Sequence, residues 1–194
     1  MSGLEEIGFR HGTDKSKLCH DYLDIYEQFF APLRDEPITL MELGVQYGCS
    51  LRTWREYFSA ATIVGVDHLP LMTETLAKTF LYQCDQADPR LPAMLGERRF
   101  DVIIDDCSHR SANTIASFKL LWPLLKPGGI YIIEDLAAHD STAALDFVKG
   151  LTDTWEDPCG VVTCQRMLEH YAANRPEYAW IRLSARLAII GKGD

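Results

Sequence analysis

The sequence predicts an α/β fold: a mostly parallel sheet with an antiparallel edge strand and helices on both faces. Three observations lead there. Short apolar runs, ITLMEL, TIVGVD, FLYQC, FDVIID and IYIIED, recur with amphipathic helical spacing between them, which is the pattern of βαβ units. Several of these runs are apolar throughout instead of alternating, as strands buried on both faces are. The runs also end in acidic or polar residues, at the carboxyl tips where open α/β sheets gather their ligands.

The chain has 194 residues, enough for one domain with a continuous core. Residues 1–36 read as an N-terminal helical cap segment and residues 37–194 as a cofactor-binding domain, one compact unit overall. Lys+Arg 19 against Asp+Glu 28 gives a net charge of −9, with no basic tail or stripe. Binding that depends on neutralising phosphates is disfavoured, so no nucleic-acid partner is expected. The apolar runs are too short to span a bilayer, and MSGLEEIGFRHG lacks the basic start and apolar stretch of a signal peptide, so no membrane partner and a cytoplasmic location are expected. Six cysteines without a CxxC pair argue against a zinc site and against a disulfide scaffold.

In chain order, Gly12-Thr13-Asp14-Lys15 forms a polar turn with Asp14 or Ser16 as cap. Tyr22, Ile25, Tyr26, Phe29 and Phe30 then give an amphipathic helix over about 20–30, stopped by Pro32. The two tyrosines pack in the core or line a ligand mouth. ITLMEL is the first strand, Gly44 and Gly48 allow a tight turn, and Ser50 is expected to cap a helix through Phe58. A strand, a glycine turn and a helix N-terminus together make a nucleotide-cofactor cradle. Glu42 at the strand end reads as a turn partner unless a cofactor amine lies near. Asp67 ends TIVGVD, 25 residues beyond Glu42. It suits a ribose hydroxyl, the N-cap of an expected helix over 71–79, or both. FLYQCDQAD is a third strand ending at Asp85 and Gln86, followed by a short helical connection. Ser111 is expected to cap a helix that turns Ile115, Phe118, Leu121 and Leu124 inward, and Pro127-Gly128-Gly129 to break the chain before IYIIED. A helix in TAALDFVKGL and closing antiparallel strands around 180–183 and 187–190 complete the pattern.

FDVIIDDCSH delivers Asp105, Asp106 and His109 to one strand tip, and IYIIED delivers Glu134 and Asp135 to another. Carboxylates converging in this way cannot all stay charged without a cation or shared protons. Hard oxygen ligands of this kind suit Mg²⁺ or a similar ion. His109 serves as a general base or as a loop histidine bonded to Asp105 or Asp106. His139 is a second, weaker candidate. No Gly-x-Gly-x-x-Gly and no Gly-x-x-x-x-Gly-Lys-Ser/Thr occurs.

Glu42, Gly44, Gly48, Asp67 and Asp85 at successive strand tips resemble the Rossmann-like cofactor cradle of class I S-adenosylmethionine-dependent methyltransferases. A narrower set, in order, is GTDK, His20-x-Tyr22-x-x-x-Tyr26-Glu27, ELGVQYG–CSLRTWREYF, QCDQAD, FDVIIDDCSH and GGIYIIEDL. From Gly12 to Leu136 it resembles the macrocin and mycinamicin type of metal-dependent sugar O-methyltransferase. That resemblance implies that Asp106, Glu134 and Asp135 hold Mg²⁺ and that His109 is the base. It also implies that Thr13, Gly44, Ser50, Asp67, Asp85 and Gln86 contact S-adenosyl-L-methionine, with Asp106 shared between the two sets. Cys84 and Cys107 stand where the pattern usually carries glycine or a small residue. The implied acceptor is a hydroxylated small molecule, a sugar moiety, and a homo-oligomer is left open. The rival readings are a methyltransferase acting on a phenol, catechol or amine, and a cofactor-binding protein without catalysis.

Overall fold

The computed structural model describes residues 3–136, 143–151, 168–170, 178–183 and 186–193. His139 lies outside them. The chain divides into two compact units, Met1–Cys84 and Asp85–Asp194.

The first unit holds helices α1 (Gly3–His11), α2 (Leu23–Phe30) and α3 (Cys49–Tyr57), with strands β1 (Thr39–Leu43), β2 (Thr62–Asp67) and β3 (Thr79–Gln83). The strands lie in the order β3-β2-β1 and both pairs are parallel, Thr39 opposite Thr62 and Ile63 opposite Thr79. The aromatic spacing of α2 serves packing. Tyr26 and Phe30 are wholly buried and meet Trp54 of α3 at ring separations of 5.8 and 5.7 Å, and Phe30 meets Phe58 at 5.3 Å. Polar ties reinforce this contact: the Tyr57 hydroxyl donates to Glu27 at 2.9 Å, and the Leu4 amide donates to the same carboxylate at 2.9 Å. Residues 1–36 are thereby fastened onto α3.

The second unit holds α4 (Leu91–Leu95), α5 (Ser111–Leu121) and α6 (Ala143–Gly150), with β4 (Phe100–Asp105), β5 (Leu125–Ile133), β6 (Leu168–His170), β7 (Tyr178–Leu183) and β8 (Ala188–Lys192). Its strand order is β4-β5-β8-β7-β6, parallel between β4 and β5 and antiparallel beyond. Phe118 anchors α5, its ring 4.9 Å from Tyr131 of β5, 5.0 Å from Trp122 and 5.5 Å from Phe147 of α6.

Four local expectations are corrected. No helix follows β2: residues 68–78 are irregular, because the Leu71 amide bonds the Gln46 carbonyl at 2.9 Å and the Asp67 carboxylate is taken up by other donors. Ser50 does not cap α3. Gly48, left-handed at φ +77°, holds the N-cap position, and the Ser50 hydroxyl turns inward to Glu42. Ser111 is the first residue of α5, with Arg110 at the cap, and Ile115 is only half-buried beside the buried Thr114 and Ser117. Pro127 to Gly129 does not end a segment, since β5 runs through it with an irregularity in its register against β4. Strand β6 had no counterpart in the sequence pattern.

Candidate functional site

In the first unit the site begins at the turn 44–48. Gly44 (φ +94°), Gln46 (φ +46°) and Gly48 (φ +77°) are all left-handed. A side chain at Gly48 would meet Met72, whose Sδ lies 2.5 Å from the position of a Cβ, so glycine is required there for space as well as for conformation. The Asp67 carboxylate clamps this turn from outside. One oxygen accepts from the Val45 and Gln46 amides at 2.8 and 2.9 Å, and the other from the Leu69 amide at 2.8 Å. Burial would raise the Asp67 pKa, but the amides of Gln46, Leu69 and Val45 and the neighbouring His68 outweigh it and hold the carboxyl below its usual range.

Glu42 clamps the turn from inside and is fully buried. One of its oxygens accepts from the Ser50 hydroxyl at 2.7 Å and from the Trp54 indole at 3.1 Å, and the other lies 3.5 Å from the Lys15 ammonium. Thr13 is buried in the turn before Lys15, its amide bonded to the Gly8 carbonyl at 3.1 Å. Glu42 and Ser50 are thus brought together, and Gly44, Gly48 and Asp67 with them at one turn.

In the second unit Asp85 is exposed and caps its own turn by accepting from the Ala87 amide at 2.8 Å. Gln86 is buried and donates to Asp105 at 3.0 Å. Asp105, the first of the acidic pair, belongs to the core: it is 1% exposed, and Ser117 and Tyr131 also bond to it, the latter at 3.5 Å. Burial drives its pKa up to about 7; Ser117 opposes the rise and the nearby charge of Asp106 adds to it.

Beyond Asp105 the loop is strained. Ser108 (φ +42°) and His109 (φ +47°) are consecutive left-handed residues, and the His109 amide bonds the Cys107 carbonyl at 2.6 Å, closing a γ-turn. Two non-glycine residues in this region persist only where surroundings over-determine them, commonly at functional sites. Parallel pairing puts Asp105 opposite Ile133, and the Glu134 amide donates to the Asp105 carbonyl at 2.9 Å. The Asp106 and Glu134–Asp135 backbones are therefore neighbours, and Asp135 is itself left-handed at φ +52°.

Three carboxylates on two bonded strand tips have the donor chemistry that a hard divalent cation prefers. Among the described residues, no three His, Cys, Asp or Glu side chains already stand gathered as a cage, so closing on an ion requires side-chain rotation. An Arg186 nitrogen lies 3.5 Å from Asp135 Oδ1, and the Arg186 carbonyl accepts from the Leu136 amide at 3.1 Å. By its chemistry the donor set fits the ion, and Arg186 is a neighbour of one of its oxygens.

Sequence reasoning missed Lys15, Trp54, Ser117 and Arg186. Lys15 was visible inside GTDK, Trp54 stands four residues after Ser50 on one helix face, and Ser117 was a polar residue inside an apolar stripe. Nothing in the sequence marked Arg186.

A family described as a methyltransferase domain matches residues 41–136. The 41–136 segment belongs to this family. The chain is 35% identical over 173 residues to the 8-demethyl-8-alpha-L-rhamnosyl tetracenomycin-C 2'-O-methyltransferase of Streptomyces olivaceus, covering 79% of this chain and 46% of that protein. It is 32% identical over 142 residues to the mycinamicin VI 2''-O-methyltransferase of Micromonospora griseorubida, covering 69% and 36%. Among solved structures it is similar to the MycE methyltransferase from the mycinamycin biosynthetic pathway in complex with Mg, SAH and mycinamycin VI. The TM-score is 0.77 at 26% identity, over 98% of this chain and 54% of that one. The chain spans about half the length of the curated relatives it matches, or less. The resemblance to macrocin- and mycinamicin-type enzymes is borne out, and the fold is that of the class I methyltransferases.

Proposed function

We propose that this methyltransferase carries the methyl group of S-adenosylmethionine to a sugar hydroxyl of a glycosylated natural product, with Mg²⁺. The observation that carries the reading is the bond from the Glu134 amide to the Asp105 carbonyl, which makes two acidic strand tips neighbours beside the strained His109 loop. The activities named for the tetracenomycin and mycinamicin relatives, both O-methyl transfers, support the acceptor class over catechols, phenols and amines.

Asp106, Glu134 and Asp135 would hold the metal, and His109 would accept the acceptor hydroxyl's proton on a ring nitrogen. A bound Mg²⁺ supplies Lewis-acid polarisation of an oxygen, and S-adenosylmethionine supplies an already activated methyl group. The left-handed backbone at Ser108 and His109 fixes the direction in which the imidazole leaves the loop. The 44–48 turn, with Gly44 and Gly48 in the left-handed region, would bind the cofactor. Asp67 would take a ribose hydroxyl: a carboxylate has about four acceptor positions, three backbone amides use them here, and the hydroxyl competes with His68 for the last. In the second unit, Asp85, Gln86 and Asp106 would contact the cofactor. Glu42, Ser50 and Thr13 are buried beside the 44–48 turn and would belong to the cofactor set of the first unit. Among the described residues, no helix is long and apolar enough to cross a membrane.

The test is His109→Ala, assayed for methyl transfer to a panel of vicinal-diol glycosides and catechols and for S-adenosylhomocysteine binding by calorimetry. Turnover on the glycosides should fall by roughly 10²–10⁴-fold, as for loss of a general base, while cofactor-product affinity stays within about threefold. Undiminished turnover, or turnover on catechols alone, would refute the assignment.

A further inference from the structure

Lys15 and Glu42 form an ion pair sealed from solvent, with side chains 1% and 0% exposed and 3.5 Å between ammonium and carboxylate. Taking two charges out of water is so unfavourable that well-packed apolar residues often serve stability equally well. Stability is therefore a weak reason for this pair, and its position offers a better one. Glu42 lies two residues before left-handed Gly44, and its second oxygen takes the Ser50 hydroxyl and the Trp54 indole from α3, the helix that starts after left-handed Gly48. Lys15 is fixed in turn, because its carbonyl accepts the amides of Tyr22 and Leu23 at 2.9 and 3.3 Å. The turn 44–48 is thus bracketed by β1, α3 and the GTDK segment at one carboxylate. Gly44 and Gly48 visit many backbone shapes freely and Gln46 stays left-handed only where its surroundings over-determine it, so the turn's shape depends on what brackets it. An ion pair with two directed hydrogen bonds admits one arrangement, whereas apolar contacts admit several.

We propose that Lys15 is a positioning residue for cofactor binding: through Glu42 it keeps the 44–48 turn in its binding-competent shape without touching the cofactor. This inference rests on the assignment of that turn to S-adenosylmethionine made above. If the turn samples other shapes, apparent affinity falls in proportion to the competent fraction.

The test compares wild type, Lys15→Met and the charge-neutral pair Lys15→Met/Glu42→Gln. The single variant leaves a buried carboxylate without its countercharge and should melt well below wild type. The double variant removes both charges while the glutamine carbonyl still accepts from Ser50 and Trp54, so most of the melting temperature lost in the single variant should return, short of wild type by the amide NH2 left facing an apolar side chain. Its dissociation constant for S-adenosylhomocysteine, by calorimetry, should nevertheless be weaker by about tenfold. Its KM for S-adenosylmethionine should rise with kcat nearly unchanged, as when binding of ground state and transition state weaken together. A double variant that binds like wild type overturns the role of Lys15 and leaves the cofactor assignment intact. A wild type that binds no S-adenosylhomocysteine overturns the cofactor assignment itself and this inference with it.

Discussion

Replacing Asp67 by alanine removes the acceptor for three backbone amides at 2.8–2.9 Å. The three are unequal. Gln46 and Leu69 are exposed, so water replaces the carboxylate there at little loss, whereas Val45 is 3% exposed and its amide is left without a partner in the interior. A buried unsatisfied donor costs about 1–3 kcal/mol, and the two resolvated bonds add about half a kcal/mol each, so Asp67→Ala should destabilise by about 2–4 kcal/mol. The sign of the pH dependence follows from the depressed pKa. A carboxyl whose folded pKa lies below its unfolded value near ~3.9 contributes fully above that value and loses its contribution as pH falls through the folded pKa. Urea unfolding of wild type and variant at about pH 7 and again below about pH 4 should therefore show a gap that narrows on acidification. A neutral-pH gap under about 0.5 kcal/mol, or one that widens in acid, would refute the clamp.

Gly48→Ala combines a left-handed φ, which costs an L-residue about 1–2 kcal/mol, with a Cβ only 2.5 Å from Met72 Sδ. It should lower stability by about 2 kcal/mol or more in urea titration and weaken S-adenosylhomocysteine binding; an unchanged melting curve would contradict the geometry. Phe118→Ala removes a ring packed against Tyr131, Trp122 and Phe147. It should cost about 3–5 kcal/mol, read as a drop in the urea midpoint, and a loss below about 1 kcal/mol would mean that the ring is not a keystone of α5.

The parallel strands were legible because residues buried on both faces leave unbroken apolar runs; TIVGVD and FDVIID became β2 and β4 with the expected limits. Helix caps were less legible. Ser50 and Ser111 look like caps in sequence, yet Ser50 is drawn inward by the buried Glu42, a tertiary partner that local pattern does not show, and Ser111 sits one residue inside its helix. The expected helix after β2 failed for a related reason, since one Asp67 oxygen is spent across 21 and 22 residues on Gln46 and Val45, leaving only the other for Leu69 in the segment that follows. At the candidate site the sequence placed Asp106, Glu134 and Asp135 at strand tips, but it could not separate Asp105, which the core absorbs through Ser117 and Gln86, from Asp106 one residue later. The Arg186 contact with Asp135 came from a distant loop and carried no local mark.

The central claim is that Asp106, Glu134 and Asp135 grip one divalent ion. Titration with Mn²⁺, a spectroscopic substitute for Mg²⁺ that prefers the same oxygen ligands, followed by electron paramagnetic resonance in the presence of S-adenosylhomocysteine, tests it without any acceptor. The account predicts a single saturable site per chain in the wild type, weakened at least ~10-fold by Asp106→Asn, as loss of a charged ligand requires. A wild type that takes up no Mn²⁺, or an Asp106→Asn variant that binds it as tightly, would contradict it.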